Sequence, residues 1–252
     1  MTESTTSQRE RVAIVTGASK GFGLALARAL ATRGWRLVLD ARGEGLLAEA
    51  GADLARRTSV ATVAGDVAHE DHRRRLVAEA SRLGQLELLV NNASSLGPSP
   101  QPSLADYPLS ELRHVYEVNV LAPLRLTQLA LPQLLAAGGH VVNVTSDAGV
   151  EPYAGWGGYG SSKAALDQLS NVLAAEHPEL RVLWVDPGDM RTEMHQAAFP
   201  GEDISDRPPP EASVPGLLAL LEGNTPSGRY RIEAVSEPVS DEAGVTSELV
   251  GR

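Results

Sequence analysis

Arg11-Val12-Ala13-Ile14-Val15-Thr16-Gly17-Ala18-Ser19-Lys20-Gly21-Phe22-Gly23 is the stretch on which the fold turns. A short apolar run stops at a glycine, which reads as a buried strand. Residues 21–33 are then rich in Ala and Leu, with Leu26 and Leu30 on one face and Gly34 as a stop, which reads as a helix. Glycines between a strand and a helix let the backbone turn tightly and approach a pyrophosphate, whose charge sits against the helix N-terminus. A glycine triplet alone is weak evidence, and its bland reading is a packed turn. Set between a strand and a helix, it favours a dinucleotide site.

Outward from this unit the alternation continues. Residues 36–41, 60–64, 86–90, 140–145 and 181–185 read as strands, and residues 45–57, 69–83 and 159–176 as helices. A long helix is expected over 109–136, bent at Pro123 and Pro132. Near-continuously apolar strands alternating with helices predict an α/β, Rossmann-type doubly wound parallel sheet with helices on both faces, in a single domain. Ligands of such a sheet bind at the carboxyl ends of its strands. The catalytic domain is expected over 11–235, after a disordered N-terminus (1–10) and before a flexible acidic tail (236–252). Residues 199–215, rich in proline and acid, form a candidate substrate lid.

Composition narrows the function. The 252 residues carry 22 basic and 32 acidic side chains, a formal charge of −10. That argues against nucleic acid or an anionic membrane as partner. Without cysteine there is no thiolate nucleophile or disulfide framework. No run approaches the ~18 apolar residues of a membrane span, and the polar N-terminus lacks a secretory core, so a cytoplasmic protein is expected. Only Lys20 and Lys163 among the 22 basic residues are lysines, which raises the question of what those two places need.

Leu39-Asp40-Ala41-Arg42 ends the second strand. An acid here suits the ribose hydroxyls of NAD, whereas a cation suits the 2′-phosphate of NADP. Arg42 and Lys20 converging on one dianion favour NADP(H). NAD(H), with Asp40 on the ribose and Arg42 in solvent, is the competing reading.

Tyr159-Gly160-Ser161-Ser162-Lys163 stacks a phenol and an ammonium one helical turn apart. A free phenol, with a pKa near ~10, is too weak an acid for efficient proton exchange at neutral pH. A cation ~5 Å away at an effective dielectric of ~20 contributes about 3 kcal/mol, a little over two pKa units. In bulk water the same charge contributes about half a unit, so the pair needs a partly dried cleft. Ser146, just past the fifth strand, can orient a carbonyl oxygen that Tyr159 protonates. Asn119 is an awkward helix-interior residue, read either as packing or as a water-holding bend.

Taken in order, Thr16-Gly17-x-x-x-Gly21-x-Gly23, Asp66-Val67, Asn91-Asn92-Ala93, Asn119, Ser146, Tyr159-x-x-x-Lys163 and Pro187-Gly188-x-x-x-Thr192 resemble the short-chain dehydrogenase/reductase family from Val12 to about Ile232. The resemblance implies that Tyr159 is the acid/base and that Lys163 lowers its pKa and holds the nicotinamide ribose. It implies that Ser146 steadies the substrate oxygen and Asn119 anchors a water in the proton relay. Gly17, Ser19, Lys20, Gly21, Phe22 and Gly23 would cradle the cofactor, with Arg42 and Lys20 as its NADP-type pair. Asp66 and Val67 would hold adenine, Asn91 and Ala93 would lie along the dinucleotide, and Pro187, Gly188, Met190 and Thr192 would meet the nicotinamide end. Ser94 stands where the family usually has glycine, and the usual C-terminal Val-Asp-Gly-Gly is absent, its nearest feature being Ser227-Gly228-Arg229-Tyr230.

The expected activity is hydride transfer between NADP(H) and a carbonyl or secondary alcohol, a small-molecule substrate. The alternatives are an NAD-dependent alcohol dehydrogenase and a non-catalytic dinucleotide sensor. A homo-oligomer is expected, as a dimer through the long helix and the Tyr159 helix. Likeness to the sepiapterin and benzil reductase branch makes Glu193 a candidate substrate anchor. Trp156, Met194, His195 and Phe199 are divided between lining the substrate cleft and packing. His69, His72 and Arg73-Arg74-Arg75 read as a solvated face, and no metal site is expected.

Overall fold

The computed structural model describes residues 10–232 and 245–246. Along the chain come β1 (Arg11–Val15), α1 (Gly21–Thr32), β2 (Arg36–Ala41), α2 (Glu44–Leu54), β3 (Val60–Ala64), α3 (Glu70–Leu83) and β4 (Gln85–Asn91). They are followed by α4 (Leu109–Tyr116), α5 (Ala122–Ala137), β5 (His140–Val144), α6 (Gly157–Glu176), β6 (Arg181–Asp186), α7 (Glu193–Ala198), α8 (Val214–Glu222), β7 (Gly228–Ile232) and β8 (Val245–Thr246). Seven strands pair in parallel in the order β3-β2-β1-β4-β5-β6-β7, and β8 adds antiparallel to β7.

The two-residue period of a strand divides the core. In β1, Ala13 and Val15 face a cluster that includes Leu26 of α1, Leu39 of β2 and Leu217 of α8. Val12 and Ile14 face the other cluster, with Leu76 of α3, Leu126 of α5 and Val141 of β5. Both faces are therefore covered, which explains why the strands are apolar throughout rather than alternating. Strand order reverses between β1 and β4, so the loops leaving those two strands part there and open a crevice at their carboxyl ends.

Four sequence expectations change. The six strands anticipated become seven parallel ones, because Gly228-Arg229-Tyr230-Arg231-Ile232 alternates buried and exposed residues near the sheet edge instead of forming an apolar run. The long helix is interrupted by a π-helical turn over Glu117–Leu121, one turn before Pro123, which sits in the first turn of α5 where its missing N–H costs little. Pro132 stays inside α5 without ending it. The 109–137 stretch is long and apolar enough to pass for a membrane span by composition, yet Leu126, Ala130 and Leu134 belong to the core between sheet and helices.

Glu10, expected to be disordered, accepts a hydrogen bond from Gln85 N (3.0 Å) and pairs with Arg36; the rest of the expected N-terminal arm lies outside the described residues. So does the expected tail, apart from the two residues of β8. Residues 199–215 are tied down by Arg191 N to Pro208 O (2.8 Å) and Gln196 Nε2 to Glu202 O (3.0 Å).

Leu26 is fully buried where α1 meets the sheet. Leu26→Ala is expected to cost about 2–5 kcal/mol, read as a lower urea midpoint in circular dichroism.

Candidate active site

The glycine loop is anchored from three sides. Gly17 has φ +65°, a left-handed conformation that glycine takes without strain, and its N–H donates to Asp40 Oδ2 at 3.4 Å. Ala18 N donates to Asp40 O at 2.8 Å. A Cβ on Gly23 would lie 2.5 Å from both Asn92 Nδ2 and Gly17 O, so the third glycine makes room for its own loop. Lys20 caps α1 without a side-chain hydrogen bond. The first-turn N–H groups of α1, with no acidic side chain among them, are thus left for an anion.

This loop borders a cleft of about 640 Å³. Its walls bring together Gly17, Ser19, Lys20, Gly21, Phe22, Arg42, Asp66, Val67 and Ala93 with Ser146, Trp156, Tyr159, Lys163, Pro187, Gly188, Met190, Thr192, Glu193 and His195. The cradle, the helix N-terminus and the volume of the cleft fit a nicotinamide dinucleotide.

Four sequence-chosen residues do not line it, among them Phe199, which packs against Trp156 and His195. Gly23 packs behind the loop, as above. Asn91 is buried between strands, its Nδ2 donating to Asn143 Oδ1 (2.8 Å) and Thr127 Oγ1 (3.4 Å). Asn92, one residue on, faces the cleft in its place. Asn119 sits in the π-helical turn with its amide fully engaged. Its Nδ2 donates to Ser95 O and Ser162 Oγ, both at 2.9 Å, and its Oδ1 accepts from Ser95 N (2.7 Å) and Ser94 Oγ (3.1 Å). The side chain thereby braces the loop after β4 against α6.

The electrostatics also depart from expectation. Asp40 is buried, its Oδ1 2.6 Å from His72 Nε2, and burial raises its pKa. Its carboxylate is spent on His72 and Gly17 rather than presented to a ribose. His72 is therefore a core residue, not a solvated one, and Arg73 is likewise buried, donating to Val67 O at 2.7 Å. Glu193 forms an ion pair with Lys20 across the mouth of the cleft, directed toward the glycine loop and not toward the aromatic wall.

Tyr159 and Lys163 are both buried on the same face of α6. Lys163 Nζ lies 5.4 Å from the Tyr159 ring centre and donates to Val144 O at 2.8 Å. Burial lowers its pKa to about 8. Burial raises that of Tyr159, the negative charge of Asp186 adds to the rise, and the nearby hydroxyls of Ser146 and Ser94 counter part of it. The expected acidification of the phenol by the ammonium is thus absent in the protein alone, because desolvation of the phenolate outweighs it.

Ser146 Oγ donates to Asp147 Oδ1 (3.0 Å) and accepts from Ala148 N (3.2 Å). Arg229 of β7 supports this turn, with Nη2 on Ser146 O and Nε on Asp167 Oδ2, each at 3.0 Å. Beyond Tyr159 the cleft turns aromatic. Ring centres of Trp156 and Phe199 are 5.6 Å apart, those of His195 and Phe199 4.8 Å, and those of Trp156 and Tyr159 5.9 Å. Sequence reasoning passed over Asp147, Asp186 and Arg229, which carry no motif of their own. Ser94 did leave a signal, as a departure from the family glycine.

Comparison with known proteins agrees with this geometry. A short chain dehydrogenase family model matches residues 11–203. Sepiapterin reductase of Mus musculus is 36% identical over 201 residues, covering 74% of this chain and 77% of that protein. A short chain dehydrogenase structure from Pseudomonas syringae superposes with TM-score 0.82 at 32% identity, covering 88% of this chain and 94% of its own. An alcohol dehydrogenase from the archaeon Thermococcus sibiricus, solved with 5-hydroxy-NADP, gives TM-score 0.80 at 27% identity, covering 91% and 99%. The chain belongs to the short chain dehydrogenase family. It is an oxidoreductase that uses a nicotinamide cofactor.

Gly23→Ala is expected to push Asn92 and the Gly17 carbonyl out of place. Cofactor affinity, followed by fluorescence titration, should fall more than about tenfold while the far-ultraviolet circular dichroism stays unchanged.

Proposed function

We propose that the protein is an NADP(H)-dependent carbonyl reductase in which Tyr159 is the proton donor. The observation that carries this reading is that the Tyr159 phenol shares one cleft wall with Ser146 and Lys163 and faces the glycine cradle across it. A non-catalytic sensor would have no use for a buried phenol and amine at that place.

In the direction of reduction, Tyr159 holds its proton through neutral pH because burial raises its pKa, and gives it to the substrate oxygen. Ser146 turns its hydroxyl from Asp147 to that same oxygen and steadies the charge that develops there. Lys163, fixed by Val144 O, presents a cation beside the phenol and would hold the nicotinamide ribose. A reduced nicotinamide held in the cleft would supply the hydride to the carbonyl carbon, and the substrate oxygen takes its proton from Tyr159, giving the alcohol.

Two features support NADP(H) over NAD(H). Lys20 and Arg42 both line the cleft, and Asp40, the ligand an NAD site would need, is paired with His72 and Gly17. The archaeal relative solved with 5-hydroxy-NADP accords with this. The aromatic wall suits a flat, aryl-bearing carbonyl, consistent with the likeness to sepiapterin reductase, although Glu193 is turned away from anchoring it. Exposed Leu109, Leu121 and Val172 support a homodimer through α4 to α6.

A panel of aryl ketones, diketones and aldehydes, followed at the nicotinamide absorbance with both cofactors, tests the proposal. Turnover should prefer NADPH, and Tyr159→Phe should lower kcat by about a hundredfold or more with cofactor binding retained. Equal turnover in Tyr159→Phe defeats the assignment. Arg42→Ala should raise the KM for NADPH about tenfold or more and leave that for NADH unaltered.

The pH dependence follows from the direction of the tyrosine shift. Carbonyl reduction needs the protonated phenol and is expected to hold level through neutral pH. Alcohol oxidation needs the phenolate and is expected to climb as the pH is raised beyond neutrality, which initial rates in both directions would reveal.

A further inference from the structure

Strand β7 reaches behind the catalytic groups through Arg229. Tyr230 and Ile232 face the core cluster shared with α1 and α8, so the two-residue period turns Arg229 to the opposite face of the sheet. Its side chain is 12% exposed and does not line the cleft. Instead the guanidinium spans two elements that do, the turn after β5 and helix α6. Nη2 donates to Ser146 O and Nε to Asp167 Oδ2, each at 3.0 Å.

Both contacts fall where small displacements matter. Tyr159, Lys163 and Asp167 are spaced by four along α6 and lie along one side of that helix. Ser146 stands in extended backbone and caps the turn that follows it, its Oγ accepting from Ala148 N at 3.2 Å and its carbonyl from Gly149 N at 3.0 Å. Arg229 takes the other lone pair of that carbonyl, so both are used. A carbonyl held from two sides fixes the peptide plane, and with it the direction in which the serine hydroxyl leaves the backbone. The rigid fork of a guanidinium offers two donors at set angles, whereas a lysine ammonium is a point charge on a flexible stem. The bridge from β7 therefore ties the serine turn to the tyrosine helix at a set spacing.

We propose that Arg229 is a positioning residue for the reaction: it locks the Ser146 carbonyl to Asp167 of α6, so that the Ser146 hydroxyl and the Tyr159 phenol meet on one substrate oxygen. It touches neither substrate nor cofactor and moves no proton. The plainer role would be to fasten β7 to α6 through the Asp167 ion pair alone, with the serine carbonyl incidental.

The inference rests on the reading of Ser146 and Tyr159 as the catalytic pair, so it is tested with turnover and without. Arg229→Lys keeps a cation for Asp167 and removes the fork. Its kcat for carbonyl reduction should fall about tenfold or more, while NADPH affinity from fluorescence titration stays at the wild-type value. Millimolar guanidinium added to Arg229→Ala should restore part of the lost kcat, and sodium chloride at equal concentration should not. Without turnover, amide hydrogen exchange by NMR in the full chain should quicken about tenfold or more at Ala148 and Gly149 in Arg229→Lys, with the amides of β7 unaltered. Unchanged kcat in Arg229→Lys overturns the proposal, as does equal rescue by salt. Unchanged exchange at Ala148 and Gly149, or faster exchange along β7 as a whole, assigns Arg229 the fastening role instead and also overturns it. Should Arg229→Ala not fold, Arg229→Lys alone decides. If the wild-type chain reduces no carbonyl, the functional reading fails while the exchange rates still decide the role of Arg229.

Discussion

Thr16 ties the ends of the two strands between which the sheet reverses direction. Its hydroxyl donates to Val90 O (3.2 Å) and accepts from Asn92 N (2.9 Å) and Ala93 N (3.0 Å). Asn92 returns the contact through Nδ2, which donates to Thr16 O and Gly17 O at 2.9 and 3.1 Å. One side chain from each strand end thereby fixes the spacing of the glycine loop and the loop after β4. Everything that faces the cleft from those loops, from Ser19 to Ser94, inherits its position from that clasp. The tight Gly23 follows too, since the Asn92 amide occupies the space a Cβ would need.

The catalytic wall is built on a different constraint, the cost of burying charge. Tyr159 and Lys163 were expected to perturb one another through space. Instead each is perturbed chiefly by loss of water, in opposite senses, so that the phenol keeps its proton and the amine holds its own less firmly. At neutral pH the phenol therefore stays neutral, while the amine, its pKa lowered to about 8, remains mostly a cation. Charge arriving with a ligand then has a large effect on the balance, because little solvent is present to screen it.

How much of this was readable beforehand depends on the kind of signal. The strand-loop-helix grammar around Val12 to Gly23 and the i, i+4 pair Tyr159 and Lys163 are local patterns, and both led to the right places. Side-chain direction was harder. Asn91 and Asn92 are adjacent, and strand pleating alone decides which faces the cleft, so a register error of one residue exchanges them. His72 looked solvated because its helix is strongly charged; only the sheet above it reveals Asp40 as its partner. β7 escaped because its alternation is interrupted by arginines, one of which, Arg229, turns inward to Asp167. The π-helical turn at Asn119 left a trace as an ill-placed asparagine, but the loop that its amide braces could be seen only in the fold.

Glu193 gives the cleft a resident counter-ion. An anion that takes Lys20 must evict that carboxylate, so binding at the glycine loop is an exchange and not a simple addition. Glu193 is also the first residue of α7, whose first turn carries His195 against Phe199. Eviction therefore cuts the tether between the loop at one end of the cleft and the helix bordering the other.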